Sequence, residues 1–252
     1  TKVCISELIG RSFLIASPSR LTFHSPLSSS TTVHVPPGHC GSCWAFGAIE
    51  VLADRICIAS DGAKQPDLSP ESLVDCDTHD AGCQGGFLDN AWRFLRDVGA
   101  LEESCYPYEH CDYTPFPNCT KGKGSRSVND SARSAKGKCP TTKCTDGTTA
   151  LTHHRASNAY AVAKPGDVES IQRELIAHGP VEVGFQVFSD FHLYQTGVYS
   201  KSKTATGPEG GHAVKIIGWG VENGVDYWLV ANRYVLQDFV LFGENIMLTS
   251  FL

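Results

Sequence analysis

Two cysteines three residues apart, Cys40 and Cys43, sit in the stretch GHCGSCWAFG, and that spacing serves three chemistries. As a redox couple they would exchange a disulfide, the thiolate being stabilised by the unpaired N–H groups at a helix N-terminus. Such couples follow a strand, and the preceding HVPPGH does not read as one. As half of a zinc site they would need a second pair, for which Cys139 and Cys144 are the candidates. As one structural and one reactive cysteine they would divide, with Cys43 in the first turn of a helix gaining thiolate stability from the helix end.

The elements that must position this pair are legible in part. Phe46, Ile49, Val51, Leu52 and Ile56 recur at helical spacing through CWAFGAIEVLADRIC, with Ser42 as N-cap. SPESLVDC predicts a second helix, capped by Ser69 with Pro70 in its first turn, and FLDNAWRFLRDVG a third that stops at Gly99. Residues 101–158 have no sustained periodicity but carry a series of cysteines, so disulfides are expected to stand in for a core. Downstream, DVESIQRELIAHG reads as a helix closed by Gly179. VEVGFQVF, GGHAVKIIGWG and DYWLVAN read as strands, the last two joined by an Asn223-Gly224 turn. Helices first and strands later make an α+β chain in two parts. The Ser/Thr/Pro-rich stretch 1–37 reads as loosely ordered, and the tail YVLQDFVLFGENIMLTSFL is apolar without clean alternation.

At 252 residues the chain is long enough to bury a substantial core, and its formal charge of −6 argues against nucleic acid as a partner. Lys121, Lys123, Arg126, Arg133, Lys136, Lys138 and Lys143, opposed only by Asp130, read as a solvated insertion. Eleven cysteines point to an oxidising compartment, and the odd count leaves one thiol over. The sequons at Asn118 and Asn129 suit a secretory route. There is no run of about 18 apolar residues, so no membrane span is expected. Ser6–Arg20 is too interrupted by polar residues for a signal segment.

Four stretches carry a resemblance: CGSCWAFGAIEVLADRICI, GCQGGFLDNAW, GPVEVGFQVFSDFHLYQTGVY and GGHAVKIIGWGVENGVDYWLVAN. In that order, across Gly38 to Asn232, they resemble cathepsin B-like members of the papain family of cysteine peptidases. The resemblance implies a papain-like two-domain α+β fold: a helical, disulfide-rich left domain over 38–158, a β-barrel-like right domain over 159–252, and the active site in the cleft between them. It implies Cys43 as nucleophile, His212 as the base that takes the thiol proton and later protonates the leaving amine, and Asn232 as the acceptor that orients the imidazole. Gln84, Gly85, Gly86 and Gly211 would bind the substrate backbone, which comes close where side chains are absent. It further implies disulfides Cys40–Cys83, Cys76–Cys139, Cys105–Cys144 and Cys111–Cys119, leaving Cys4 as the candidate partner of Cys57. The expected partners are peptide or protein substrates, a propeptide and cystatin-like inhibitors, acting on a monomer in a lysosomal, vacuolar or secreted location. No metal and no cofactor is called for.

Three departures qualify the resemblance. Pro37 stands where the family has the glutamine of the oxyanion hole, and residues 1–39 contain no Gln or Asn to replace it, although His39 is near. After Asn232 the chain reads Arg233-Tyr234 where the family has Ser-Trp, the Trp covering the His–Asn hydrogen bond. The stretch CDYTPFPNC lacks the paired histidines that hold a substrate's terminal carboxylate. His110 lies beside it, and His153-His154 is too far along. Endopeptidase action is therefore expected over dipeptide removal. The rival readings are a non-catalytic homologue that binds peptides or a partner, and a disulfide-rich structural protein.

Overall fold

The computed structural model describes residues 40–109, 139–232, 239–243 and 249–251. The predicted helices form where the apolar periodicity placed them. Helix α1 (Cys43–Ala59) buries Trp44, Ala45, Ala48, Ile49, Val51 and Leu52, the inward positions of the 3.6-residue repeat. Helix α2 (Glu71–Cys76) begins one residue later than expected. Pro70, with no N–H to leave unsatisfied, takes the cap position, and Ser69 Oγ accepts from Glu71 N at 3.1 Å. Helix α3 (Leu88–Asp97) buries Ala91, Trp92 and Leu95 and closes at Gly99, whose φ of +90° favours glycine. Helix α4 (Val168–His178) is capped by Asp167, which accepts from Ser170 N at 3.1 Å.

Contacts divide the chain into two units. Among the described residues, the helical unit comprises 40–53, 66–109, 139–161 and 251; the sheet unit comprises 54–65, 162–232, 239–243 and 249–250. Three disulfides, Cys40–Cys83, Cys76–Cys139 and Cys105–Cys144, tie the helical unit. Leu101, Cys105, Tyr106 and Cys144 form a small buried cluster where periodicity is lacking. Cross-links thus supply order that local pattern does not.

The sheet runs β1 (Ala161–Ala163), β7 (Thr249–Phe251), β2 (Val181–Val187), β4 (Gly210–Glu222), β5 (Val225–Ala231), β6 (Phe239–Gly243) and β3 (Val198–Tyr199). Strands β2 and β4 are antiparallel, with Phe185 opposite His212. Strands β4 and β5 form a hairpin whose turn residues Asn223 and Gly224 both have positive φ. Among the described residues the outer strands β1 and β3 do not pair with each other, so the sheet is open and the expected barrel does not close. With three and two residues respectively, they offer too little ladder to bridge. The apolar tail contributes more than its irregular pattern suggested. In β6, Val240 and Phe242 are fully buried while Phe239 is exposed, and the strand pairs with β5 along its whole length. Phe185, Phe191, Tyr199 and Phe242 pack ring against ring at the centre of this unit. Lys215 of β4 donates to Asp54 Oδ2 at 2.7 Å, and Arg55 pairs with Glu174 of α4 at 2.9 Å.

Candidate functional site

The cysteine question raised by the sequence is decided by pairing. Cys40 is bonded to Cys83, Cys139 to Cys76 and Cys144 to Cys105, so neither a Cys40–Cys43 redox couple nor a four-cysteine zinc site is formed. Cys43 takes part in none of these disulfides and is half-buried, as the first residue of α1. Cys57 is also in a disulfide, with a partner beyond the described residues. The Cys111–Cys119 pairing, His39, Pro37, His110 and Tyr234 likewise lie outside the described residues.

The segment around Cys43 is fastened to the Gly82–Gln84 turn three ways: before it by the Cys40–Cys83 disulfide and by Gly41 N donating to Cys83 O at 2.9 Å, and after it by Trp44 Nε1 donating to Gly82 O at 3.1 Å. A Cβ on Gly41 would sit 2.9 Å from Cys83 O, and one on Gly86 would run into the Trp44 indole. Gly85 has φ of +110°. The glycines at Gly41, Gly85 and Gly86 are thus dictated by close approach and backbone conformation. Together they bring the Gln84–Gly86 backbone beside Trp44, the residue that follows Cys43. Trp44 is a residue that sequence reasoning passed over; its signal was an aromatic placed directly after Cys43.

In the sheet unit, His212 stands near the start of β4 and Asn232 just past the end of β5. The register of the β4–β5 hairpin brings them together. His212 Nε2 lies 2.9 Å from Asn232 Oδ1, and Asn232 is buried. An amide oxygen only accepts, so Nε2 carries the proton and Nδ1 is left basic. The Phe185 ring meets the imidazole edge to face at 5.6 Å. Burial pulls the His212 pKa below its ordinary value, and the hydrogen bond to Asn232 pushes the other way. Gly211 is exposed beside His212, with open space where a side chain would project. His154 is engaged elsewhere, 3.2 Å from Glu102.

In the helical unit the first turn of α1 can hold a thiolate at a helix N-terminus, and in the sheet unit the hairpin presents an imidazole locked in one tautomer. Among the described residues no group of three or more His, Cys, Asp or Glu is arranged to hold a metal ion, and no helix is long and apolar enough to cross a membrane.

The family model described as papain family cysteine protease matches residues 30–237. The chain is 40% identical over 246 residues to cathepsin B-like cysteine proteinase 3 of Caenorhabditis elegans, covering 95% of this chain and 64% of that protein. It is 37% identical to tubulointerstitial nephritis antigen-like of Mus musculus, over 80% of this chain and 45% of that one. The chain spans between 45% and 64% of the length of the curated relatives it matches. Among solved structures it resembles procathepsin B from Trypanosoma congolense, with TM-score 0.69 and 26% identity over 99% of this chain and 75% of that one. The fold is shared with bromelain from Ananas comosus, at TM-score 0.61 and 22% identity over 88% of this chain and 93% of that one. With the disulfide pattern and the α+β architecture already in place, the match over residues 30–237 identifies the chain as a member of the papain family of cysteine proteases, similar to its cathepsin B-like members.

Proposed function

We propose that this protein is a cysteine-type endopeptidase in which Cys43 attacks the peptide carbonyl and His212, oriented by Asn232, shuttles the proton. The observation that carries the reading is the 2.9 Å His212–Asn232 contact in a family member whose Cys43 heads a helix and is kept out of the disulfides. His212 Nδ1 takes the thiol proton, the thiolate adds to the carbonyl carbon, and the same imidazole protonates the departing amine. The resulting thioester acyl-enzyme is released by a water that His212 deprotonates. Gln84, Gly85, Gly86 and Gly211 line the substrate backbone. The expected partners are peptide or protein substrates, a propeptide and cystatin-like inhibitors; the protein acts as a monomer in a lysosomal, vacuolar or secreted setting. The proenzyme form of one structural neighbour supports the propeptide.

The test is cleavage of a mixed peptide library by the full chain, with products identified by mass and Cys43→Ala as control. Internal cuts that vanish in the variant support the reading; cuts that persist in it, or none at all, contradict it. A second reading, a peptide-binding homologue without turnover, is favoured by Pro37, since the oxyanion would keep only the Cys43 backbone N–H. Losing one such donor costs roughly 10²–10³ in turnover. Pro37→Gln is expected to raise kcat by a factor of that order, leaving KM near its starting value. An unchanged kcat would show that the position has no part in the oxyanion hole.

A further inference from the structure

Tyr108 belongs to none of the motifs of the peptidase signature, yet it touches the nucleophile's turn twice. Its hydroxyl lies 2.8 Å from Ser42 Oγ, the side chain immediately before Cys43. Its ring meets Phe46, further along α1 and past Cys43, edge to face with centroids 4.9 Å apart. Ser42 and Tyr108 are both buried, and the Ser42 carbonyl accepts the N–H groups of Ala45 and Phe46 that open the helix. Ser42 thus holds the N-cap position with its backbone while its hydroxyl is given to Tyr108.

Tyr108 is seated in turn by an acidic cluster. Its N–H donates to Glu103 Oε1 at 2.8 Å, and the next N–H, of Glu109, reaches Glu71 Oε2 at 3.4 Å. Glu103 faces Asp67 and Glu71 and is hydrogen-bonded by Ser69; burial first, then those carboxylates, push its pKa up to about 7. As a neutral acid it can sit among them. Once ionised it repels both, a strain on the loop that works against the Tyr108 N–H hydrogen bond, which by itself favours the ionised form.

We propose that Tyr108 is a positioning residue for Cys43, holding the first turn of α1 through Ser42 and Phe46 while Glu103 seats its backbone. This rests on the reading of Cys43 as nucleophile. Ser42 and Tyr108 are 66 residues apart in sequence, so their hydrogen bond fastens a distant loop to the one turn whose N–H groups stabilise the thiolate. Without it a buried hydroxyl loses its partner and the turn relaxes, moving the sulfur off its line of attack.

The experiment measures iodoacetamide alkylation of Cys43, located by peptide mapping, together with kcat, KM and thermal melting of the full chain from pH 4 to 9. The variants are Ser42→Ala, Tyr108→Phe, their combination, and Glu103→Gln. Each single hydroxyl deletion is expected to lower the alkylation rate and kcat about fivefold, with KM within about twofold, and the double variant to be no slower than either single. Glu103→Gln is expected to remove a decline in kcat that the wild type shows as pH rises through about 7. If Tyr108→Phe fails to fold, Ser42→Ala carries the same kinetic test. Independent losses in the double variant, losses that only track the folded fraction, or a Glu103→Gln profile that superposes on the wild type would overturn the proposal. An active wild type with equally active variants overturns this inference alone; a wild type that neither alkylates at acid pH nor cleaves peptide overturns the nucleophile reading with it.

Discussion

Around Cys43 the chain is held by disulfides, a backbone hydrogen bond into the Gly82–Gln84 turn, and buried polar contacts; around His212 it is held by strand register and packed rings. The three disulfides described at both ends lie in the helical unit, while Cys57, also disulfide-bonded, belongs to the sheet unit. The sheet unit gathers Phe185, Phe191, Tyr199 and Phe242 instead. The difference follows from pattern. Residues 101–158 have no periodic apolar face to bury, so covalent closure has to limit the unfolded chain. Strands β2, β4 and β5 carry their own alternating or wholly apolar faces, so pairing and burial suffice.

The largest effect expected from breaking this comparison is in the sheet unit. Phe242→Ala removes a fully buried ring from the aromatic cluster and should cost about 3–5 kcal/mol in denaturant unfolding, with or without reductant. Next comes the helical unit. The double replacement Cys40→Ser with Cys83→Ser should cost about 2–5 kcal/mol and make the variant less sensitive to reductant than the wild type. A wild type whose stability is indifferent to reductant would dissolve the contrast.

Smaller, but sharper, is the dependence on pH. Burial raises Glu103 to about 7 and Asp80 to about 6, both in the helical unit. Between the unfolded carboxylate range, around pH 4, and these values, the folded state holds protons that the unfolded chain has lost. Helical-unit stability should therefore be greatest at low pH and decline toward pH 7, by on the order of 1 kcal/mol for each group. His212 runs the other way. Its pKa is lowered, so its contribution is present above about pH 6.5 and is lost as pH falls through the folded value. Hydrogen exchange across pH should show opposite slopes for amides near Tyr108 and near His212. Glu103→Gln should flatten only the first slope; parallel slopes would contradict the assignment.

Much of the site was legible because its residues sit in regular elements or are forced by sterics. Cys43 opens a helix whose apolar spacing is plain, and Asn223-Gly224 marks the hairpin that returns Asn232 to His212. The roles of these residues came from the resemblance of four motifs, since a histidine among strands has no signature of its own. What escaped was non-local or irregular. The 66-residue reach from Tyr108 to Ser42 leaves no periodic trace, and β6 is a strand of five residues inside an apolar run whose register only β5 decides. The open sheet also escaped, because closure depends on outer-strand length, which alternation in the long strands does not report.

The most direct test of the account is intact-mass labelling of the folded full chain with a peptidyl epoxysuccinate at mildly acidic pH. That reagent needs an activated thiolate beside a bound peptide backbone. The account predicts a single adduct on Cys43, absent in Cys43→Ala and slowed by at least about tenfold in His212→Ala. A folded wild type that acquires no adduct would contradict it.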